Sequence, residues 1–306
     1  MEKISLPQHF HICFSFCGNN MSAENPSSPE RHPAKRFDQL SGTHKTQVQQ
    51  SVSPPIPRPD PNMPAELQRA MEEARQQQRK AREQAIQRYQ PASTAYLTAI
   101  LKNSDRATEV WEGVIDKWLA GKLSGYDPQQ SFRKYLKSVL RNAVFTFSRN
   151  RRQAAERAML RLEEEYEIPD SQEAVASRAF DKRLQDDLLK HTLAVIREDN
   201  PQHFEVIQRI MQAVATNSDP PDSRTLAEVL SRISGKPVTE ESARQIKSRA
   251  RERFPRELIR QTQLMIASDD LDRVEETLAD LEMLAYCEKT LQKMRKDRGK
   301  DGGQPS

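Results

Sequence analysis

Apolar side chains recur at three- and four-residue intervals along most of this chain, and only one kind of backbone puts such positions on a common side. With successive residues turned by roughly 100°, Phe132, Tyr135, Leu136, Val139, Leu140, Ala143 and Phe147 share one stripe. Val110, Trp111, Val114, Ile115, Trp118 and Leu119 form a second stripe, and Phe204, Val206, Ile207, Ile210, Met211 and Val214 mark a third. β-branched runs are short and glycine is scarce, nine in 306 residues, so strands joined by tight turns have little support. The expectation is an all-α chain of two small helical domains joined by a linker, behind a disordered N-terminus. With 36% apolar and 30% charged residues the core is modest, which leaves room for linkers and tails.

The punctuation between stripes gives the organisation. Residues 1–63 are rich in Pro, Ser, Asn and Gln, including SPPIPRPDPN at 53–62, and read as a disordered extension. Residues 64–90 favour helix by propensity but carry only a thin stripe (Leu67, Met71, Ala74, Ala81, Ala85), so a marginal lead-in helix is expected. A first domain then covers 91–152. It comprises a short helix with Tyr96, Leu97, Ile100 and Leu101, a break at Asn103-Ser104-Asp105, a helix over about 105–120, and the cationic helix that follows. A linker is expected over 153–179, with a charged helix and a break at IPDSQEA. A second domain covers 180–262, with ATNSDPPD and Ser234-Gly235-Lys236-Pro237 as turns and with Ser223 and Thr239 as helix caps. Residues 263–306 form an acidic helix, with Val274, Leu278, Leu281 and Leu284 on its stripe, and then a frayed tail.

Charge singles out three faces. Opposite the apolar stripe of 132–147 lie Arg133, Lys134, Lys137 and Arg141, and Arg149, Arg151 and Arg152 extend the charge. From Gln130 to Gln153 there are seven Lys or Arg and no Asp or Glu. A charge run is usually a solvated face, but an uncompensated run of this length suits phosphate neutralisation. The helix before it carries the opposite sign: Asp105, Glu109, Glu112 and Asp116 form a ridge, either solvated or a docking surface for a basic partner. The third face belongs to the helix after Thr239. Its inward stripe is Ala243, Ile246, Ala250 and Phe254, and its outward side chains are Arg244, Gln245, Ser248 and Arg251, with Lys247 and Arg249 beside them. A helix, a turn and a cationic helix form the layout of a helix-turn-helix, and these side chains suit base edges and phosphates. The formal charge of +4 is small, so the case for a polyanion partner rests on this clustering.

Several classes lose support. Cys13, Cys17 and Cys287 make no disulfide framework and fit a reducing cytoplasm. His9, His11, Cys13 and Cys17 match no strong zinc spacing, so no metal is expected. No apolar run approaches the roughly 20 residues that span a bilayer, so membrane insertion is not expected, and the first twenty residues lack the parts of a signal peptide. There is no glycine-rich phosphate loop and no nucleophile–base pair, which argues against an enzyme or a cofactor; His191 and His203 read as ordinary helix residues.

The order of these units resembles bacterial RNA polymerase sigma factors of the extracytoplasmic-function type, in a large-genome, planctomycete-like subgroup. ATEVWEGVI (107–115) is similar to the family's acidic helix, with Glu109 and Val114 matching and Thr108, Glu112 and Gly113 departing. YDPQQSFRKYLKSVLRNAVFTFSR (126–149) resembles the promoter-melting segment. Asp127, Pro128, Ser131, Phe132, Arg133, Leu136, Arg141, Asn142 and Arg149 match, while Tyr135 stands where Trp is usual and Thr146 where Asp is usual. FDKRLQDDLLKHTLAVIRED (180–199) and GKPVTEESARQIKSRARERF (235–254) resemble the subgroup's fourth domain. The resemblance implies an initiation subunit without catalysis, whose domains two and four bind core RNA polymerase and promoter DNA. Asp105, Glu109, Glu112 and Asp116 would hold the polymerase clamp. Arg133, Lys134, Lys137, Arg141, Asn142, Arg149, Arg151 and Arg152 would meet the −10 element, with a flipped base held near 120–131. Arg244, Gln245, Lys247, Ser248, Arg249 and Arg251 would read the −35 element. An anti-sigma or other regulatory protein is a further expected partner, and the acidic helix at 269–285 is expected to compete with DNA for the basic face. The rival readings are a polymerase-independent helix-turn-helix regulator and a helical interaction scaffold.

Overall fold

A computed structural model of the chain describes residues 51–123, 126, 127, 131–157, 168–266 and 268–301. Among these residues the regular structure is helical: α1 (Ala65–Leu101), α2 (Ser104–Leu119), α3 (Phe132–Arg157), α4 (Asp170–Asp199), α5 (Pro201–Ala215), α6 (Ser223–Ser234), α7 (Glu240–Ile266), α8 (Leu271–Asp280) and α9 (Leu284–Asp301). The described residues fall into two compact units. One draws on the chain up to Thr192 and again from Leu258 onward; the other is Leu193–Glu257. The division therefore lies inside α4 and α7, not at the expected linker, and the last part of the chain belongs with the first.

The larger unit is built on α1, which packs along α2 and also meets α3. The lead-in and the short helix expected after it are one continuous helix of 37 residues, through Pro91. Proline in a helix interior removes a hydrogen bond and crowds the preceding turn. Here Tyr89, Ala92, Tyr96 and Leu97 on both sides of it are buried, and that packing holds the helix together. The expected thinness of the stripe over 64–90 is also corrected. Gln78 and Arg82 are buried with Ala81, Ala85 and Ile86 because they bond to the proline-rich segment before the helix. Gln78 Nε2 donates to the Pro54 carbonyl at 2.9 Å, Arg82 donates to the carbonyls of Ser51, Ser53 and Leu119, and Trp118 Nε1 donates to Ser51 at 2.9 Å. Residues 51–56 are thus strapped to the bundle, within the extension expected to be disordered; residues 1–50 lie outside the described residues. Gly121 sits where the strap passes, at φ +67°, and a Cβ there would come within 2.7 Å of Pro55. This position needs glycine on both counts.

Phe132 is the aromatic hub of this unit. Its ring meets Tyr89 at 5.1 Å, Tyr126 at 5.4 Å, Trp118 at 5.6 Å and Tyr135 at 5.9 Å between centroids. The second passage of the chain closes the unit. Arg88 and Tyr89 bond to main-chain oxygens of Leu264 and Met265, and Leu258, Ile259, Thr262 and Met265 are buried. α8 and α9 pack on each other, and Arg295 of α9 pairs with Asp272 and Glu275 of α8. The tail expected to fray is therefore helical to Asp301.

The smaller unit has its own core of Ile196, Val206, Ile207, Leu226, Ala227, Leu230, Ala243 and Ala250, from the end of α4 through α7. Its helix ends follow capping chemistry. Asn200 accepts from the His203 amide at 3.0 Å, and Asp222, the residue before the expected cap Ser223, accepts from the Thr225 amide at 2.8 Å. Gly235 ends α6 at φ +66°.

Candidate nucleic-acid interface

The hairpin α6–α7 turns at Gly235 and restarts at Thr239, whose hydroxyl accepts from the Ser242 amide at 3.2 Å. Ser231 Oγ accepts from the Val238 amide at 2.8 Å and fixes the turn to α6. Ala243 and Ala250 are fully buried and Ile246 and Phe254 are half-buried against the same core, as the period of the sequence anticipates. That seating presents Arg244, Gln245, Ser248, Arg249 and Arg251 to solvent. Arg244 is paired locally with Glu241 at 3.1 Å and Glu240 at 3.9 Å. Lys247 is half-buried and donates to the Pro221 carbonyl at 2.7 Å, and desolvation holds its pKa below the ordinary lysine value. It props the turn before α6. Arg249 and Arg251 have no ion-pair partner among the described residues, so their charge faces water.

α3 differs from its expected form. Its buried line is Phe132, Leu136, Leu140 and Val144, and Arg133, expected on the solvated side, is 8% exposed. The reason is a set of carboxylates from elsewhere in the same unit. Arg133 pairs with Asp181 at 3.1 Å and also with Asp280. Lys137 Nζ reaches Asp181 and Ser177 Oγ, both at 2.7 Å, and lies 5.4 Å from the Phe180 ring centroid. Burial lowers the pKa of Lys137, and its bond to Asp181 opposes the shift. Lys134 meets Glu276 at 3.1 Å, and Arg141 meets Glu173 at 3.3 Å. Pairs 133–181, 137–177 and 141–173 run in opposite order along α3 and α4. Three of the acceptors are therefore spaced by four residues, as are the three donors, and each set makes one helical stripe. That matched period was present in the sequence and was the signal that could have found Glu173, Ser177 and Asp181.

The remaining α3 candidates, Asn142, Arg149, Arg151 and Arg152, are exposed. Phe145 is 37% exposed, and its ring centroid lies 5.7 Å from the Arg141 guanidinium carbon. Asp105, Glu109, Glu112 and Asp116 are exposed along α2, over a buried stripe of Val110, Trp111, Val114 and Trp118. Of the expected base pocket near 120–131, residues 124, 125 and 128–130 lie outside the described residues, and the histidine–cysteine cluster at 9–17 lies wholly outside them. Among the described residues no group of three or more His, Cys, Asp or Glu side chains could hold a metal ion, and no helix is long and apolar enough to cross a membrane. No protein-family model, no curated protein and no solved structure matches this chain.

Proposed function

We propose that this chain is a transcription-initiation factor of the sigma type, whose 193–257 unit reads duplex DNA with the outer face of α7. The observation that carries the reading is a capped helix seated through Ala243 and Ala250 on a core of Ile, Val and Leu side chains, with Arg244, Gln245, Ser248, Arg249 and Arg251 outward. Such a helix can enter a major groove, where arginine can pair with guanine in a bidentate manner and the flanking cations hold phosphates. In this reading the exposed carboxylates of α2 meet a basic surface of core RNA polymerase in the cytoplasm, and α3 meets the −10 element. The protein supplies recognition and strand opening, with no cofactor.

The test is co-purification of the tagged chain with bacterial core RNA polymerase, followed by run-off transcription on fragmented genomic DNA. Stable association with new start sites is expected. Arg251→Ala should weaken binding to the selected promoters by about 1–3 kcal/mol if Arg251 makes a bidentate base contact. An unchanged promoter preference removes Arg251 from the reading face.

A second reading has one observation in its favour. Arg133, Lys134, Lys137 and Arg141 are already paired within the chain, which suits a regulator that binds DNA through α7 alone and without polymerase. Promoter-specific binding in the absence of polymerase would select it.

A further inference from the structure

The cations of α3 meet carboxylates that come from α4 and α8. A carboxylate and a phosphodiester offer arginine and lysine the same charged oxygen acceptors, and four cations on successive turns of one helix match a strand backbone as well as they match an acidic stripe. The two sets of acceptors come from different helices. Those of α4 stand on a helix whose Ala176, Phe180 and Leu184 are buried in the unit. Those of α8 stand on a helix that buries Val274 and Leu278, packs on α9 and is bound to it by Arg295. The outermost link, Lys134 to Glu276, is more than half exposed on both sides. Exposed pairs are weak and yield to salt and to competing anions.

We propose that the face of α3 carrying Arg133 and Lys134 is a nucleic-acid backbone site closed by the chain's own α8, and that displacement of α8 with α9 opens it. The carboxylates of α8 are then a built-in competitor for DNA. Among the described residues the α7 face and Arg149 and Arg151 stay exposed with α8 in place. The identity of the ligand as DNA rests on the function proposed above; the closure itself rests on the ion pairs.

The test uses the full chain and a fluorescein-labelled 40-base-pair duplex of mixed sequence, with the corresponding single strand as a second probe. E276Q/D280N removes the competing charge and keeps oxygen acceptors in place. This variant should bind at least one probe about tenfold more tightly at low salt. Its plot of log K against log salt should steepen by about 2, as about two further phosphates are engaged. Lys134→Ala in that background should take back about one unit of slope. Unchanged affinity and slope on both probes, with the melting temperature intact, overturn the closure, as does a gain that removal of Lys134 leaves undiminished. If E276Q/D280N does not fold, E276Q alone, at the exposed pair, should add about one unit of slope, and no change there overturns the proposal. R249A/R251A separates the two readings. Loss of wild-type binding with a silent E276Q/D280N leaves the α7 face standing and removes the closure. A silent R249A/R251A with a responsive E276Q/D280N does the reverse.

Discussion

The two basic helices look alike as sequence and differ as structure. In α7 Arg249 and Arg251 point away from a small core with no ion pair among the described residues, while Arg244 pairs with its own first turn and Arg253 with Asp199. In α3 the first four cations are spoken for by Asp181, Asp280, Glu276 and Glu173, which lie 32 to 147 residues away in the chain. A run of lysine and arginine without neighbouring acids is uncompensated only along the chain; whether it is uncompensated in space depends on what the fold brings opposite. The difference separates a charge available for binding from a charge that holds a fold together.

The sharpest way to break the comparison is to remove one cation from each face. Arg133→Met leaves two carboxylates facing each other across a buried gap. Removing one partner of a buried pair costs about 3–5 kcal/mol, and partial exposure of Asp181 and Asp280 reduces this to about 2–4 kcal/mol. The same change at Arg249, exposed and unpaired, should alter stability by no more than about 0.5 kcal/mol. Denaturant melts of the two variants decide the matter. Equal stability would mean that Arg133 is no more structural than Arg249.

Titration at alkaline pH should separate the two units next. Tyr89, Tyr96 and Cys287 lie in the larger unit, and burial pushes each of them up to about 12. Residues 193–257 contain neither tyrosine nor cysteine. Above the ordinary pKa of each group the unfolded chain loses its proton while the folded unit keeps it, so stability falls as pH rises from about 9 and more steeply beyond 10, by roughly 2 kcal/mol for Tyr89 alone. Lys137, lowered by desolvation, works in the opposite sense: in its window the unfolded chain holds more protons, and stability rises with pH. Burial also raises Tyr126, Tyr135 and Tyr286, so the raised groups outnumber Lys137 and the larger unit should loosen first in base. His203 gives the smaller unit the complementary weakness. Burial and the nearby Arg253 and Arg249 lower its pKa, so stability present above the ordinary histidine range is lost as pH falls through it. Hydrogen exchange of the intact chain at pH 6 and pH 10.5 reads both units at once. Simultaneous loosening at either end would remove the distinction.

The sequence displayed the helices and hid their partners. Stripes such as Val110–Trp118 and Ala243–Phe254 were legible because each depends on residues within four positions, and so was the Thr239 cap. The continuity of α1 through Pro91 was not, since it depends on packing that outweighs a local penalty. Gln78 and Arg82 stood outside the expected stripe, because the carbonyls that justify their burial lie 24 to 37 residues away. The unit boundary inside α7 was hidden for a similar reason: Leu258 and Ile259 continue a helix whose earlier turns serve another core. At the candidate site the outward face of α7 was legible except at Lys247, whose partner Pro221 lies 26 residues away, whereas the acceptors of the α3 face lie 32 to 147 residues away.

The smallest of these effects bears on how α7 is made ready. Thr239 holds the first turn of α7 by accepting from the Ser242 amide, with Glu240 and Glu241 in that turn favoured by the helix dipole. Thr239→Ala should cost about 1 kcal/mol of stability in the smaller unit, and on the function proposed it should weaken DNA binding at α7, because Arg244 and Gln245 stand next to the turn that frays. The corresponding change in the larger unit, Asn103→Ala, removes the acceptor for the Arg106 amide at the start of α2. Its stability cost should be similar, about 1 kcal/mol, with no effect on DNA binding. Equal loss of DNA affinity in the two variants would mean that general destabilisation, not the order of the first turn of α7, governs recognition. A selective loss in Thr239→Ala would tie the capping hydroxyl to the reading face that it supports.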